Sequence, residues 1–534
     1  MKPRIIFLLN SVGLNRGGLT HASLRQASTF ADAGYDTQVL TFNYEPSFPV
    51  IIEKLVQRGK VSRKVIMRNM FHERAGYGRR DKIKRDRMKV DISDYAGEYA
   101  ISRRKNHNAY RLLKNGMYEK YISLREDDTL DFIDYFNENR YRTRREHYDY
   151  YGNITRINYF SFEENKLRQQ VFYDKKGKAF LSTWFEPSKD KTTRVIHFGK
   201  DNTVISETTG DEAVHKRHWL NAVIDEHSSR AVVISDTRST DSVLVGLDND
   251  KAKRVLRPHS NHLSDADNPD SELNPRNQYA IRKIPEVDAI AVLTEKQKRD
   301  IVGRFGHEEK IFVIPNYYES GPPKITGLRS LAVNVKQRTG TTKERDMSKV
   351  VVISRFSGVK NIDHTIKAFK DVVKAVPEAK LEIWGQGDKK EEYLNLIKEL
   401  GIGDNVKVKG YTQHPENVYR SAALSLVTSK TEGFSLSVME SMVNHTPVVS
   451  YDIRYGPSDM IEDGKNGFLI EKGDINALAQ RIIHVLQNPA TARKMGETAG
   501  RTMDEKFGLD SYQKKWFSFV DHLLKKDKKG GRKD

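Results

Sequence analysis

Ala422-Ala423-Leu424-Ser425-Leu426-Val427-Thr428-Ser429, running on into Lys430-Thr431-Glu432-Gly433-Phe434-Ser435-Leu436-Ser437-Val438-Met439-Glu440, reads as an apolar strand, a loop and the first turns of a helix. The apolar run has the length and flanks of a buried strand, and Ser435 opens an apolar-periodic helix. Glu432 then lies in the loop, with Glu440 about two turns along the helix on the same side. Two carboxylates bracketing a helix start can grip hydroxyls, while the unpaired amides of the first turn face phosphates. A sugar nucleotide offers both groups. Taken alone, the pair reads equally as a loop acid and an exposed helical glutamate, so the other strand ends must decide.

Outward from this stretch the same strand–loop–helix pattern repeats. Strands are expected at 349–354, 379–384, 405–409, 422–428 and 447–450, and closing helices at 475–487 and 511–524. At the other end, a strand at 5–10, a loop at 11–18, a helix at 19–33 stopped by Gly34 and a strand at 37–42 form a βαβ unit. A further α/β stretch, from about 211 to 316, carries strands at 230–235, 254–256, 289–293 and 311–314. Strands alternating with helices imply parallel sheets covered on both faces. Between these stretches, residues 50–90 are basic and helix-compatible, and residues 99–204 alternate polar and apolar with many tyrosines. Tyr148-Asp149-Tyr150-Tyr151-Gly152 and Tyr173-Asp174-Lys175-Lys176-Gly177 repeat one turn pattern, each followed by a strand-like run, which marks an antiparallel meander. Its tyrosine-rich faces suit oligomerisation, a polymeric ligand or simple solvation. Residues 336–348 have linker composition. The expected layout is a Rossmann-like domain from 1–48 and 205–330, an insertion at 49–204, a second Rossmann-like domain at 346–508, and a closing helix with a basic tail at 509–534.

A chain of 534 residues suffices for two or three domains with real cores. No apolar run reaches membrane-spanning length, and the first apolar run is too short for a signal peptide. With no cysteine, disulfides and thiolate metal sites are excluded. The chain therefore reads as cytoplasmic. A net charge of +19 calls for an acidic partner, but no nucleic-acid-binding module is recognisable, so nucleic acid is not expected. Lys525-Lys526-Asp527-Lys528-Lys529, after Trp516-Phe517-Ser518-Phe519, reads either as a peripheral contact with an anionic membrane surface or as a solvated terminus.

Ligands of open parallel sheets bind beyond the carboxyl ends of the strands. After the first strand come Gly17 and Gly18, directly before a helix, which gives a diphosphate backbone room and helix amides. After the strand at 349–354 come Arg355 and Lys360, both able to reach one anion and neutralise a diphosphate leaving group. After the strand at 254–256 comes Arg257-Pro258-His259-Ser260-Asn261-His262. Its two histidines lack a third ligand, so no metal is expected; His259 suits a sugar hydroxyl or phosphate, and His262 a local backbone cap. Tyr455-Gly456-Pro457-Ser458-Asp459 forms a last loop of anion-binding type.

Together, Gly17-Gly18, Arg355 with Lys360, Glu432 with Glu440 and the Gly-Pro-Ser-Asp loop resemble the retaining GT-B glycosyltransferases of family 4. The resemblance covers both α/β parts, about two-thirds of the chain. The tyrosine-rich insertion and His-Ser-Asn-His narrow it to the bacterial poly(glycerol/ribitol-phosphate) alpha-glycosyltransferases of wall teichoic acid. It implies two Rossmann-like domains facing a cleft, with a β insertion that builds homo-oligomers such as trimers. It further implies a UDP-sugar donor, an anionic polyol-phosphate acceptor and retention without a required metal or other cofactor. Carried over, Arg355 and Lys360 hold the diphosphate, with backbone room from Gly17 and Gly18. Glu432 contacts the donor sugar, and Gly433, Phe434 and Ser435 offer helix-end amides. Glu440 binds the ribose, His259 positions the transferred sugar and Tyr411 lies near the base. Two alternatives remain open: an enzyme that starts glycans on Ser-rich adhesins, and a non-catalytic polyanion-binding scaffold on the same fold.

Overall fold

Arg4-Ile5-Ile6-Phe7-Leu8-Leu9 is buried at every position, as a strand covered on both faces must be. In a computed structural model that describes residues 2–14, 18–78, 89–162, 164–186, 191–199, 201–210, 212–317 and 345–530, it is the first strand of a parallel sheet. The chain forms two units, Met1–Ala252 and Lys253–Asp534.

In the first unit β1 (Arg4–Leu9) pairs in parallel with β2 (Asp36–Thr41), and β2 with β3 (Ile66–Asn69). The Gly18–Asp32 helix packs on β1 and β2. The strand β3 corrects the helix-compatible reading of residues 50–90: Phe48–Gln57 and Met70–Arg74 are helical, but Ile66–Asn69 between them extends the sheet. Its polarity hid it. Arg68 is only 3% exposed, and its guanidinium grips Glu73 at 2.6 and 2.7 Å and Glu226 at 2.8 and 2.9 Å. Those bonds replace the hydration that a buried guanidinium loses.

The meander is present and large. Ten antiparallel strands succeed one another in sequence order: β4 (Ala100–Arg103), β5 (Ala109–Lys114), β6 (Met117–Leu124), β7 (Leu130–Phe136), β8 (Arg142–Tyr148), β9 (Ile154–Phe160), β10 (Leu167–Tyr173), β11 (Ala179–Glu186), β12 (Lys191–Phe198) and β13 (Val204–Thr209). The repeated tyrosine motif has a physical basis. Asp149 accepts from the amides of Tyr151 and Asn153, Asp174 accepts from those of Lys176 and Lys178, and Gly152 and Gly177 take the positive φ each turn requires. Alternation sends Ile133 into a core with Leu112 and Ile122 on one face. On the other face Phe172, Leu181 and Val195 bury Tyr44 and Phe71. From the meander the chain returns through Glu212–Asp225 to β14 (Ala231–Ser235), which pairs with the other edge of β1.

In the second unit β15 (Ala252–Leu256), β16 (Ala289–Val292) and β17 (Ile311–Val313) are parallel neighbours. Next along the chain is a six-stranded parallel sheet, built from β18 (Asp346–Ile353), β19 (Lys380–Trp384), β20 (Val406–Gly410), β21 (Ala422–Val427), β22 (Val448–Tyr451) and β23 (Gly467–Ile470), in the order β20-β19-β18-β21-β22-β23. Ile362, Ile366, Phe369, Leu381, Ile383 and Leu424 form its core. The expected linker at 336–348 lies largely outside the described residues; its last positions, from Asp346, already belong to β18. The strand β23 and a Pro489–Phe507 helix add to the expected elements. In the closing Leu509–Gly530 helix, Trp516 and Phe519 are buried, and Arg257 stacks on Trp516 at 5.3 Å, so these rings serve the core.

Candidate active site

The ends of β18 and β21 are stitched together by the residues just beyond them. The Thr428 hydroxyl donates to the carbonyls of Lys360 (3.1 Å) and Asn361 (2.9 Å), and the Lys430 amide donates to Val359 (2.7 Å). Asn361 adopts φ +44°, a left-handed conformation that asparagine tolerates better than most residues. This geometry brings the Lys360 ammonium to 2.5 Å from a Glu432 carboxylate oxygen, to which the Ser429 hydroxyl also donates at 2.8 Å. The two side chains are 16% and 15% exposed, so the pair is sheltered yet reachable. A groove of about 1340 Å³ adjoins it, lined among others by Gly358, Asn361, His364 and Lys430.

The main chain of Glu432 is held on both sides. Its amide donates to the Arg454 carbonyl (3.0 Å) and its carbonyl accepts from the Tyr455 amide (2.9 Å). The Thr431 hydroxyl also donates to the Arg454 carbonyl (2.8 Å) and accepts from Asn261 (2.9 Å). Asp300, on the Glu295–Phe305 helix, closes this frame by accepting from the Arg454 guanidinium at 2.8 Å and the Tyr455 hydroxyl at 2.7 Å. Burial and this anion push the Tyr455 hydroxyl well above its ordinary range.

Backbones interlock around Gly433. A methyl group there would sit 2.1 Å from the His259 carbonyl oxygen, and one on Gly456 (φ +113°) would sit 2.1 Å from that of Phe434. Ser435 takes φ +63° at the cap of the Leu436–Val443 helix, and its buried hydroxyl has no hydrogen-bond partner among the described residues. The first-turn amides of this helix come directly after it.

The predicted residues therefore divide. Lys360, Glu432, Gly433, Phe434, Ser435 and the His259 backbone are brought together, and Glu440 is half-buried on the same short helix. Arg355 is exposed just past β18, with no side-chain partner among the described residues. Tyr411 is 69% exposed beyond the edge strand β20, three strands from β21, and joins nothing here. Gly18 begins the Gly18–Asp32 helix as expected, whereas Gly17 lies outside the described residues. The backbone-capping role expected of His262 is not fulfilled by its ring. That ring is fully buried, makes no hydrogen bond among the described residues, stacks on Tyr455 at 5.8 Å and titrates near 4 because burial disfavours its charge.

Two features of the site went unread in the sequence. Asp300 gave no local signal. Gly385 and Gly387, after β19, did: their φ values of +149° and +155° let them press on Ser354 and Phe356, where a methyl group would come within 1.8 and 2.2 Å of carbonyl oxygens. Gly-x-Gly at a strand end could have flagged them.

Residues 335–502 match the family of glycosyl transferases group 1. The chain is 27% identical over 517 residues to the poly(ribitol-phosphate) alpha-N-acetylglucosaminyltransferase of Staphylococcus aureus strain COL, covering 96% of this chain and 99% of that one. The chain is a glycosyltransferase. To the poly(glycerol-phosphate) alpha-glucosyltransferase of Bacillus subtilis strain 168 this glycosyltransferase is 26% identical over 550 residues, covering 99% of its own length and 77% of the relative's. It matches the crystal structure of Staphylococcus aureus TarM with a TM-score of 0.81 at 26% identity, over 97% of this chain and 99% of that one. Its fold is accordingly GT-B, with the antiparallel sheet as an insertion.

Proposed function

We propose that the enzyme moves glucose or N-acetylglucosamine from a UDP-sugar to hydroxyls of a polyol-phosphate polymer, with retention at the anomeric carbon. The observation that carries this reading is the Lys360–Glu432 pair at the apposed ends of β18 and β21. The likeness to two polyol-phosphate transferases across nearly the whole chain supports the acceptor class. In the proposed layout, residues 1–48 with 205–330 serve the acceptor and residues 346–508 the nucleotide sugar. Lys360 and Arg355 take the diphosphate with the amides at Ser435 and Leu436, and this charge offsets the negative charge that grows on the leaving group. Glu432 holds sugar hydroxyls, Glu440 the ribose diol, and His259 positions the transferred sugar. The acceptor hydroxyl attacks from the side on which UDP departs, and the departing phosphate takes its proton. On this reading the fixed positive groups of the chain suffice for departure, so turnover is expected to survive chelation of divalent cations. Cytoplasmic residence fits a UDP-sugar donor, and among the described residues no helix is long and apolar enough to cross a membrane. Homo-oligomers through the insertion, trimers included, and a peripheral contact of the basic tail with anionic lipid belong to the same proposal.

The test is UDP release with each donor against poly(glycerol phosphate) and poly(ribitol phosphate). Turnover is expected with one donor–polymer pairing well above the others. Transfer to a Ser-rich polypeptide alone would move the enzyme to the adhesin-glycosylating class. No turnover with any acceptor would leave a polyanion-binding scaffold.

A further inference from the structure

Arg104, Arg111 and Arg140 stand exposed around a trough of about 620 Å³ on the antiparallel sheet of the first unit. Between them lie two stacked ring pairs, Tyr118 with Phe136 at 4.6 Å and Tyr121 with Phe132 at 6.0 Å between centroids. Strand register creates this arrangement. Arg111, Tyr121, Asp134 and Arg145 are directly opposed across β5, β6, β7 and β8, so they share one face. Asp134 is the only carboxylate lining the trough among the described residues, and it is already engaged. Arg145 binds it through two bonds of 2.7 Å while lying 3.8 Å over Phe132, and Arg142 stands 3.7 Å away. Arg111 and Arg140 meet no carboxylate among the described residues. The trough thus carries positive charge that the sheet does not neutralise, set between planar apolar surfaces.

We propose that this trough is a second, non-catalytic binding site for the anionic acceptor chain, an inference that rests on the polyol-phosphate reading above. Guanidinium forks match the paired oxygens of a phosphodiester. Ring pairs offer flat surfaces to the apolar faces of sugars already attached. A polymer held here stays near the enzyme between transfers, and the next encounter becomes partly intramolecular. Charge complementarity favours this occupant over a second copy of the chain, whose matching face would also be basic.

The experiment compares wild type with the Arg104→Ala/Arg111→Ala/Arg140→Ala variant. All three side chains are exposed, so the fold should survive, and thermal unfolding verifies it. Polymer affinity is titrated without donor, kcat and KM are measured on long polymer and on a short acceptor, and sedimentation reports oligomeric state. The variant is expected to bind long polymer about tenfold more weakly and to raise its KM by about as much, with short-acceptor kinetics and sedimentation unchanged. Wild-type polymer affinity, an equal loss on short and long acceptors, or altered sedimentation with affinity retained would each overturn the proposal. The last result would assign the trough to contacts between copies. If the wild-type enzyme transferred sugar to no polyol phosphate, the acceptor reading would fail by itself, and the titration alone would judge the trough.

Discussion

At the scale of single residues, the Lys360–Glu432 pair makes the sharpest demand. Each charge is sheltered and each compensates the other, so truncating one leaves its partner short of an ion pair as well as removing the ligand contact proposed for it. Lys360→Ala and Glu432→Ala are each expected to lower kcat on the best donor–polymer pairing by at least about 100-fold. Wild-type rates in either variant would remove the pair from the mechanism. Gly433→Ala tests geometry instead of charge. Its methyl group cannot coexist with the His259 carbonyl at 2.1 Å, so the loop must shift, at a cost of about 1–3 kcal/mol in stability and with loss of turnover. Chemical denaturation and initial rates on the same preparation would check both.

At the scale of elements, Asp300 links the Glu295–Phe305 helix to the loop that carries Glu432. Asp300→Asn keeps the volume and removes the charge. We expect kcat to fall about tenfold, the equivalent of about 1.4 kcal/mol, because Glu432 is held less firmly. If only the melting temperature fell while kcat per folded molecule stayed constant, Asp300 would be structural alone. The sequence made the strand ends legible because buried parallel strands are continuous apolar runs, and the residues just past each run must lie at the ligand edge. It concealed Asp300 because that residue acts across more than 150 positions, on Arg454 and Tyr455. It concealed the Pro489–Phe507 helix for a local reason. Gly496 and Gly500 lower its helix propensity, yet both are needed where it closes on His445, whose carbonyl would lie 2.3 Å from a methyl group at Gly496. It concealed β3 because a buried arginine with two carboxylate partners looks like surface until the partners are known.

At the scale of the whole molecule, three buried histidines and the half-buried His147 set an acid limit. Burial lowers His147 and His215 to about 3, and His197 and His262 to about 4. The unfolded chain binds these protons near pH 6.5 while the folded chain does not. Stability is therefore full above about pH 6.5 and is lost as pH falls toward 4, by about 1.4 kcal/mol per pH unit for each group. Asp241, raised to about 6 mainly by burial, works in the opposite sense between 3.8 and 6, as does Asp459, which burial also raises, but these are two groups against four. Melting temperatures should be level from pH 8 to 7 and fall steadily below about 6.5; a level profile down to pH 5 would contradict the burial of these rings. The net charge of +19 predicts that initial rates on long polymer fall with added salt more steeply than rates on a short acceptor.

The interlocked glycines have a consequence for sequence tolerance. Gly433 and Gly456 each face a carbonyl oxygen within 2.1 Å of where a side chain would begin, whereas Tyr411 lies just past an edge strand with most of its surface bare. In a saturation library selected for transfer, the first two positions should come back with a single amino acid and Tyr411 with nearly any. Sites of this enzyme open to re-engineering would then lie at the rim of the sheet, and Gly433 and Gly456 would admit no variation at all.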